Sequence, residues 1–111
     1  MVTVYHTTAR PYAILREGFC DGEGAYLFVN LTLRGVFLAA APADVNDGAK
    51  GDAVLAVTFP ADVDLGEYAI VEEGRQQWEW CVPADLINRR ATVRLLTQGE
   101  ADSAWLEWRH G

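Results

Sequence analysis

Three side chains in this sequence could act in catalysis or ligand binding, and each also has an ordinary structural explanation. His6 ends an alternating apolar stretch and is followed by two threonines. Its imidazole could face a cleft as a hydrogen-bonding group, or it could bond a backbone carbonyl at the end of a strand. Tyr26 lies in the apolar stretch 25–29, where its ring could stack on a flat heterocycle or pack in the core.

The third candidate, Glu79, lies in the segment 77–83, which reads Gln-Trp-Glu-Trp-Cys-Val-Pro. Strand alternation places Glu79 on one face with Gln77 and Cys81, and the two tryptophans on the other. The tryptophans are the better core residues, so Glu79 is expected to face away from them. It then either pairs with an arginine or lines a functional site. Three arginines are candidates for that pairing: Arg10, Arg34 and Arg75.

Other catalytic and binding motifs are missing from the sequence. No glycine-rich loop has the strand–turn–helix context of a dinucleotide or phosphate site. The one serine, Ser103, lies near the C-terminus without a nucleophile motif. Cys20 and Cys81 have neither a nucleophile signature nor metal-ligand spacing, so we expect two reduced thiols and no bound metal.

The hydrophobic pattern predicts the elements that position these side chains. Strands are predicted at six places: 2–6, 25–29, 53–59, 67–71, 77–82 and 91–96. A short helix begins at Pro11 and stops at Gly18, and a second is predicted over 31–41, where Leu33 and Phe37 recur at helical spacing. One short turn is expected over 85–88 and a short helix in the tail. The pattern favours an α+β domain with about six short strands and two or three short helices.

Composition and charge limit the classes of function. A chain of 111 residues with 50% hydrophobic residues suits a single domain, residues 1–111. The net charge of −7 gives no generic attraction for phosphate backbones, although a few local arginines could still hold a nucleic acid. No signal peptide is visible, and the longest apolar run is far too short to span a bilayer. We expect a cytoplasmic protein without a membrane partner.

The order of these features resembles the ADP-ribosyltransferase superfamily. The stretch 4–8 (Val-Tyr-His-Thr-Thr), followed by 14–19 (Ile-Leu-Arg-Glu-Gly-Phe), is similar to that family's opening strand, histidine and short helix. The stretch 24–28 (Gly-Ala-Tyr-Leu-Phe) resembles its second motif, in which a packing helix follows a strand tyrosine. The stretch 53–57 is similar to its next core strand, and 77–83 resembles its third motif, a strand glutamate before a hydrophobic pair.

The resemblance, which covers roughly residues 2–96, implies a small fold with a split or two-sheet core and a site for NAD as substrate. It implies that Glu79 stabilises the oxocarbenium-like transition state by accepting the ribose 2′-hydroxyl. It also implies that Tyr26 stacks on nicotinamide, that His6 bonds a ribose hydroxyl and that Thr7 assists. Phe37, in the stretch 35–38 (Gly-Val-Phe-Leu), is a rival for the aromatic position.

Gln77 forms a Gln-x-Glu pattern with Glu79, which by resemblance implies a residue that orients the acceptor. The leading hypothesis is a mono-ADP-ribosyltransferase that modifies a nucleic acid or a protein, as a bacterial toxin or effector would, with an antitoxin or immunity partner possible. Two alternatives remain open. One is an NAD glycohydrolase with water as acceptor, and the other is a catalytically silent domain that binds a nucleotide or a partner.

Overall fold

The computed structural model describes residues 1–26, 31–41, 53–70 and 79–110; within them, the side chains of 22–26, 31–33 and 108–110 are outside the description. The strands are β1 (Val2–Thr8), β2 (Gly22–Tyr26), β3 (Leu31–Ala39), β4 (Ala53–Phe59), β5 (Ala69–Ile70), β6 (Glu79–Val82) and β7 (Thr92–Leu95). The helices are α1 (Pro11–Glu17), α2 (Ala84–Arg90) and α3 (Gln98–His110), and a 3₁₀ turn covers Gly66–Tyr68.

Six strands form one open antiparallel sheet in the order β5-β6-β3-β1-β4-β7, and β2 pairs with the first half of β3. The described part of the chain is therefore an α+β arrangement, as predicted. The sheet is connected throughout its width, whereas the sequence led us to expect a core divided between two sheets. No helix in the described residues of the chain has both the length and the apolar composition needed to cross a bilayer.

The segment 31–41, predicted as a helix, is mostly strand β3. Its neighbours pair with it along its length: β2 from Leu31 to Gly35, and β6 from Val36 to Ala39. The burial of Val36 and Leu38 on either side of a less buried Phe37 has the period of two that a strand requires. The helical prediction was wrong because the apolar spacing suits a helix or a strand, and pairing with β2 and β6 decides for the strand.

Most other predicted elements are confirmed, with shifted ends. Strands β1 and β4 follow the prediction closely, and α1 begins at Pro11 and is capped by Gly18, whose N–H donates to the Ile14 carbonyl at 2.7 Å. The predicted turn over 85–88 is a helix of two turns, and the predicted strand 67–71 is reduced to a 3₁₀ turn and two strand residues. Residues 27–29 and 77–78 of two predicted strands lie outside the described residues.

Among the described residues, the junction between β1 and β3 has the fewest register pairs in the sheet. Strand β1 pairs with β4 over seven residues, but the described residues of β1 and β3 share one register pair, Tyr5 with Ala39. Strand β3 has four such pairs with β6. The sheet thus consists of two well-paired halves that meet along a short seam between β1 and β3.

Each face of the sheet has its own apolar cluster. On one face, α1 and α2 cover the larger cluster, whose most buried members include Val4, Leu55, Phe59 and Ile87. On the other face, α3 places Ala101 against a smaller cluster formed with Val54, Ala56, Leu96 and Tyr5. We call these the α1–α2 face and the α3 face.

Helix α2 also clamps the loop that follows α1. Asn88 accepts a hydrogen bond from the Phe19 N–H at 2.8 Å, and its side-chain amide donates to the Phe19 carbonyl at 3.0 Å. Gly18 precedes this contact with φ of 87°, and a Cβ there would lie 3.0 Å from the Asn88 oxygen. A glycine is therefore required both by the backbone angle and by the close approach of the amide.

We expect Asn88→Ala to lower the free energy of unfolding by about 2 kcal/mol, because it leaves two partly buried backbone groups of Phe19 unpaired. The matched control is Arg89→Ala, which removes an exposed ion pair with Asp85 and should cost less than about 0.5 kcal/mol. Urea unfolding of both variants measures the difference. Equal stabilities would show that the clamp does not hold the loop.

Candidate functional site

Strand register shows which side chains share a face. Tyr5 pairs with Ala39, and Ala39 pairs with Glu79. Paired residues in neighbouring strands project to the same face, so Glu79 lies on the α3 face with Tyr5. Two strand spacings separate the Tyr5 and Glu79 backbones, which is about 10 Å.

His6 belongs to the α1–α2 face, since it pairs with the fully buried Leu55. Its ring meets the Phe19 ring edge-on with centroids 5.3 Å apart, and its Nδ1 lies 2.9 Å from the Phe37 carbonyl oxygen. A carbonyl oxygen only accepts hydrogen bonds, so this contact requires the proton on Nδ1. The imidazole therefore bridges the seam between β1 and β3.

The structure does not bring His6 and Glu79 onto one face. Their strands lie on either side of β3, but the alternation of side chains sends them to opposite faces of the sheet. The register therefore does not place the imidazole and the carboxylate together in the way that the family resemblance implies. The contacts of His6 are those of a histidine that bonds a backbone carbonyl, the structural explanation that the sequence left open.

Of the two candidate aromatic residues, Tyr26 lies far from Glu79. Tyr26 pairs with Leu31 at the beginning of β3, and Glu79 pairs with Ala39 at its end. Eight residues of extended strand span up to about 26 Å, so the Tyr26 backbone lies far from the carboxylate along the sheet. The Tyr26 side chain itself is outside the description.

Phe37 lies much closer to Glu79. It pairs with Cys81 and is therefore the diagonal neighbour of Glu79 on the α3 face. Diagonal residues in an antiparallel pair lie about 7–8 Å apart, which is within reach of aromatic and long side chains. Phe37 is partly buried, and Thr7 of β1 projects to the same face, two residues beyond Tyr5. Gln77 lies outside the described residues.

Cys81 shares this face, and its surroundings suppress its ionisation. Burial raises the pKa of its thiol, and the negative charge of Asp21 raises it further. Asp21 is held nearby because its carboxylate accepts the Ala84 N–H at 2.8 Å, at the beginning of α2. A Cβ on Gly35 would lie 2.8 Å from the Cys81 sulfur, so the sulfur packs directly on the β3 backbone.

A groove of about 830 Å³ lies on the α3 face between the sheet and α3. Tyr5 contributes to it, so the groove begins about two strands away from Glu79. Its other polar side chains come from β1, β4, β7, α3 and the residue that precedes α3: Thr3, Thr58, Thr92, Arg94, Thr97, Glu100, Ser103 and Glu107. No sequence motif indicates this groove, because its residues come from distant parts of the chain.

One local signal could have located the wall of the groove. Thr97 and Glu100 form a capping box at the beginning of α3: each backbone N–H donates to the other's side chain at 3.1 Å. The other carboxylate oxygen of Glu100 accepts a hydrogen bond from Arg94 at 2.6 Å. The bonds from Thr97 and then Arg94 hold the pKa of Glu100 below its usual value. In the part of the chain that the structure describes, no group of three or more His, Cys, Asp or Glu side chains could hold a metal.

Comparisons with known proteins return no relative of this chain. No protein-family model, curated protein or solved structure matches it. The interpretation of the site therefore depends on the geometry just described and on the motif resemblance in the sequence.

We expect Cys81 to react with iodoacetamide more slowly than the exposed Cys20, because a raised pKa leaves less thiolate at a given pH. The Cys20→Ala variant leaves only the Cys81 thiol, and Cys81→Ala leaves only the Cys20 thiol. The rate of alkylation of each variant is measured from pH 7 to 10. Adding Asp21→Asn to Cys20→Ala should speed the reaction of Cys81, because the amide keeps an acceptor for Ala84 but removes the charge. A Cys81 thiol as fast as Cys20 would contradict the described environment.

Proposed function

We propose that this chain is an NAD-dependent ADP-ribosyltransferase that uses the α3 face of its sheet. The observation that supports this best is the diagonal placement of Phe37 and Glu79 on neighbouring strands of one face. A ring and a carboxylate on diagonal residues, whose positions lie about 7–8 Å apart, suit the two ends of a nicotinamide riboside unit. The motif order along the chain supports the same assignment.

In this proposal, Glu79 accepts the 2′-hydroxyl of the nicotinamide ribose. Departure of nicotinamide leaves positive charge at the adjacent carbon, and a nearby carboxylate stabilises that charge. Phe37 stacks on the nicotinamide ring and Thr7 contributes a hydroxyl at the other side of the seam. Nicotinamide leaves as a neutral molecule from a cationic ring, so the reaction needs no general acid for the leaving group and depends on positioning.

His6 has a positioning role in this proposal. Its Nδ1–H donates to the Phe37 carbonyl and fixes the strand that carries the stacking ring. This replaces the direct bond to a ribose hydroxyl that the family resemblance implies. In this proposal Phe37, and not Tyr26, stacks on the nicotinamide, because the strand position of Tyr26 is remote from that of Glu79.

The acceptor is a macromolecule, nucleic acid or protein, and Gln77 orients it, as the Gln-x-Glu pattern of the family implies. A chain with this activity would suit a bacterial toxin or effector that is held in check by an antitoxin or immunity partner. If water is the acceptor instead, the same residues would make the chain an NAD glycohydrolase.

A second candidate, ligand binding without catalysis, is favoured by one observation. His6 lies on the face opposite Glu79 and its Nδ1 is occupied by the Phe37 carbonyl, so the imidazole does not join the carboxylate at one ligand. NAD titration by calorimetry, together with an assay for nicotinamide release, separates the two. Binding with no release would favour the silent domain.

We expect Glu79→Gln to reduce release of nicotinamide from NAD by at least about 100-fold while NAD affinity changes little, because the carboxylate acts mainly in the transition state. Glu17→Gln, an exposed carboxylate on α1, is the matched control and should keep full activity. Chromatography of nicotinamide and labelling of lysate with radioactive NAD measure cleavage and transfer. Unchanged release from Glu79→Gln would rule out this catalytic role.

Phe37→Leu and Tyr26→Leu distinguish the two aromatic candidates. We expect Phe37→Leu to raise KM for NAD about tenfold, because loss of a stacking ring costs on the order of 1 kcal/mol. Tyr26→Leu should leave KM unchanged. Circular dichroism of both variants checks that the sheet is intact, and the opposite order of effects would return the stacking role to Tyr26.

A further inference from the structure

The wall of the groove that α3 provides is mostly polar. Glu100, Ser103, Ala104 and Glu107 follow one another at helical spacing along the side of α3 that lines the groove. Glu100, Ser103 and Glu107 are exposed, whereas the neighbouring side of the helix carries the buried Ala101 and the partly buried Trp105.

The sheet side of the groove is equally polar. Thr3 and Thr58 project from neighbouring strands, and their hydroxyls lie 2.9 Å apart. Thr92 pairs with Thr58 on the next strand, so three threonines form a row across the sheet. Tyr5 adds one aromatic ring beside this row. A floor of hydroxyl groups next to an aromatic face suits a polar ligand.

The charges of the groove select the sign of that ligand. Arg94 is neutralised by Glu100, which is also fixed by the capping box. Glu107 remains as a further acidic side chain on the groove wall, so Arg94 (+1), Glu100 (−1) and Glu107 (−1) leave a formal charge of −1. The protein as a whole carries −7. An anionic ligand such as a nucleic acid is repelled, and a cation is attracted.

We propose that this groove binds a basic peptide segment through an arginine side chain. The groove offers three kinds of group that a guanidinium binds: the Glu107 carboxylate as an ion-pair partner, the threonine hydroxyls as acceptors and the Tyr5 ring as a stacking face. A volume of about 830 Å³ accommodates such a side chain with its neighbouring residues. The binding itself does not require catalysis. An acceptor role for the groove would rest on the proposed function. In that case the acceptor of the transferase is a protein.

The test uses the full chain and a fluorescein-labelled peptide of alternating Gly, Arg and Ser, with a matched peptide that has Gln in place of Arg. Fluorescence anisotropy at low salt measures Kd, without NAD. We expect the Arg peptide to bind at least about tenfold more tightly than the Gln peptide, and Glu107→Gln to remove about the same factor. Glu17→Gln, with an exposed carboxylate away from the groove, should leave Kd unchanged.

A second variant, Tyr5→Leu, keeps an apolar side chain against the α3 cluster and should weaken the Arg peptide several-fold. Equal binding of both peptides, or binding that Glu107→Gln does not weaken, would overturn the proposal. So would tighter binding of a single-stranded oligonucleotide at the same site. Nicotinamide release from NAD without peptide is measured separately, so a failure of catalysis and a failure of this site are distinguishable.

Discussion

Strands β1 and β3 share very little backbone pairing, and the imidazole of His6 supplies a bond that the ladder lacks there. One register pair joins the two strands, Tyr5 with Ala39, and the His6 Nδ1–H reaches the Phe37 carbonyl beyond it. That bond is made on the face where Phe19 packs edge-on against the imidazole. Phe19 is in turn held by both polar atoms of the Asn88 amide. Helix α2 is thus connected, through two rings, to the strand that carries Phe37.

The alternation of side chains along a strand sets a second constraint, and it decides which residues can act together. Residues one apart in sequence, such as Tyr5 and His6, face opposite sides of the sheet, whatever the motif order suggests. Glu79 is therefore grouped by register with Phe37, Ala39 and Tyr5. His6 contacts the strand that carries Phe37 from the opposite face, through the Phe37 carbonyl. In the proposed function this geometry gives His6 a positioning role.

Sequence patterns were sufficient where an element depends on local signals. Pro11 and Gly18 bracket α1, and the β-branched, alternating stretches became β1 and β4. They failed over 31–41, where Leu33 and Phe37 fit a helical spacing but β2 supplies hairpin pairs and β6 supplies long-range pairs. That error also affected the site, because a strand there separates Tyr26 from Glu79 and brings Phe37 near it. The face of Glu79 relative to His6 depends on register across three strands, which no local pattern contains.

The α3 face unites the two parts of the molecule for which chemistry is proposed. Arg94, Ala56, Tyr5, Ala39 and Glu79 form one row across five strands, because each pairs with the next. Four strand spacings separate its charged ends, about 19 Å, with small alanines on both sides of the tyrosine ring. A ligand lying along this row would meet the groove under α3 at one end and the Phe37–Glu79 pair at the other. A donor at Glu79 and a cationic peptide beside Tyr5 would then lie on one face, about two strand spacings apart with Ala39 between them, which is the kind of placement that transfer requires.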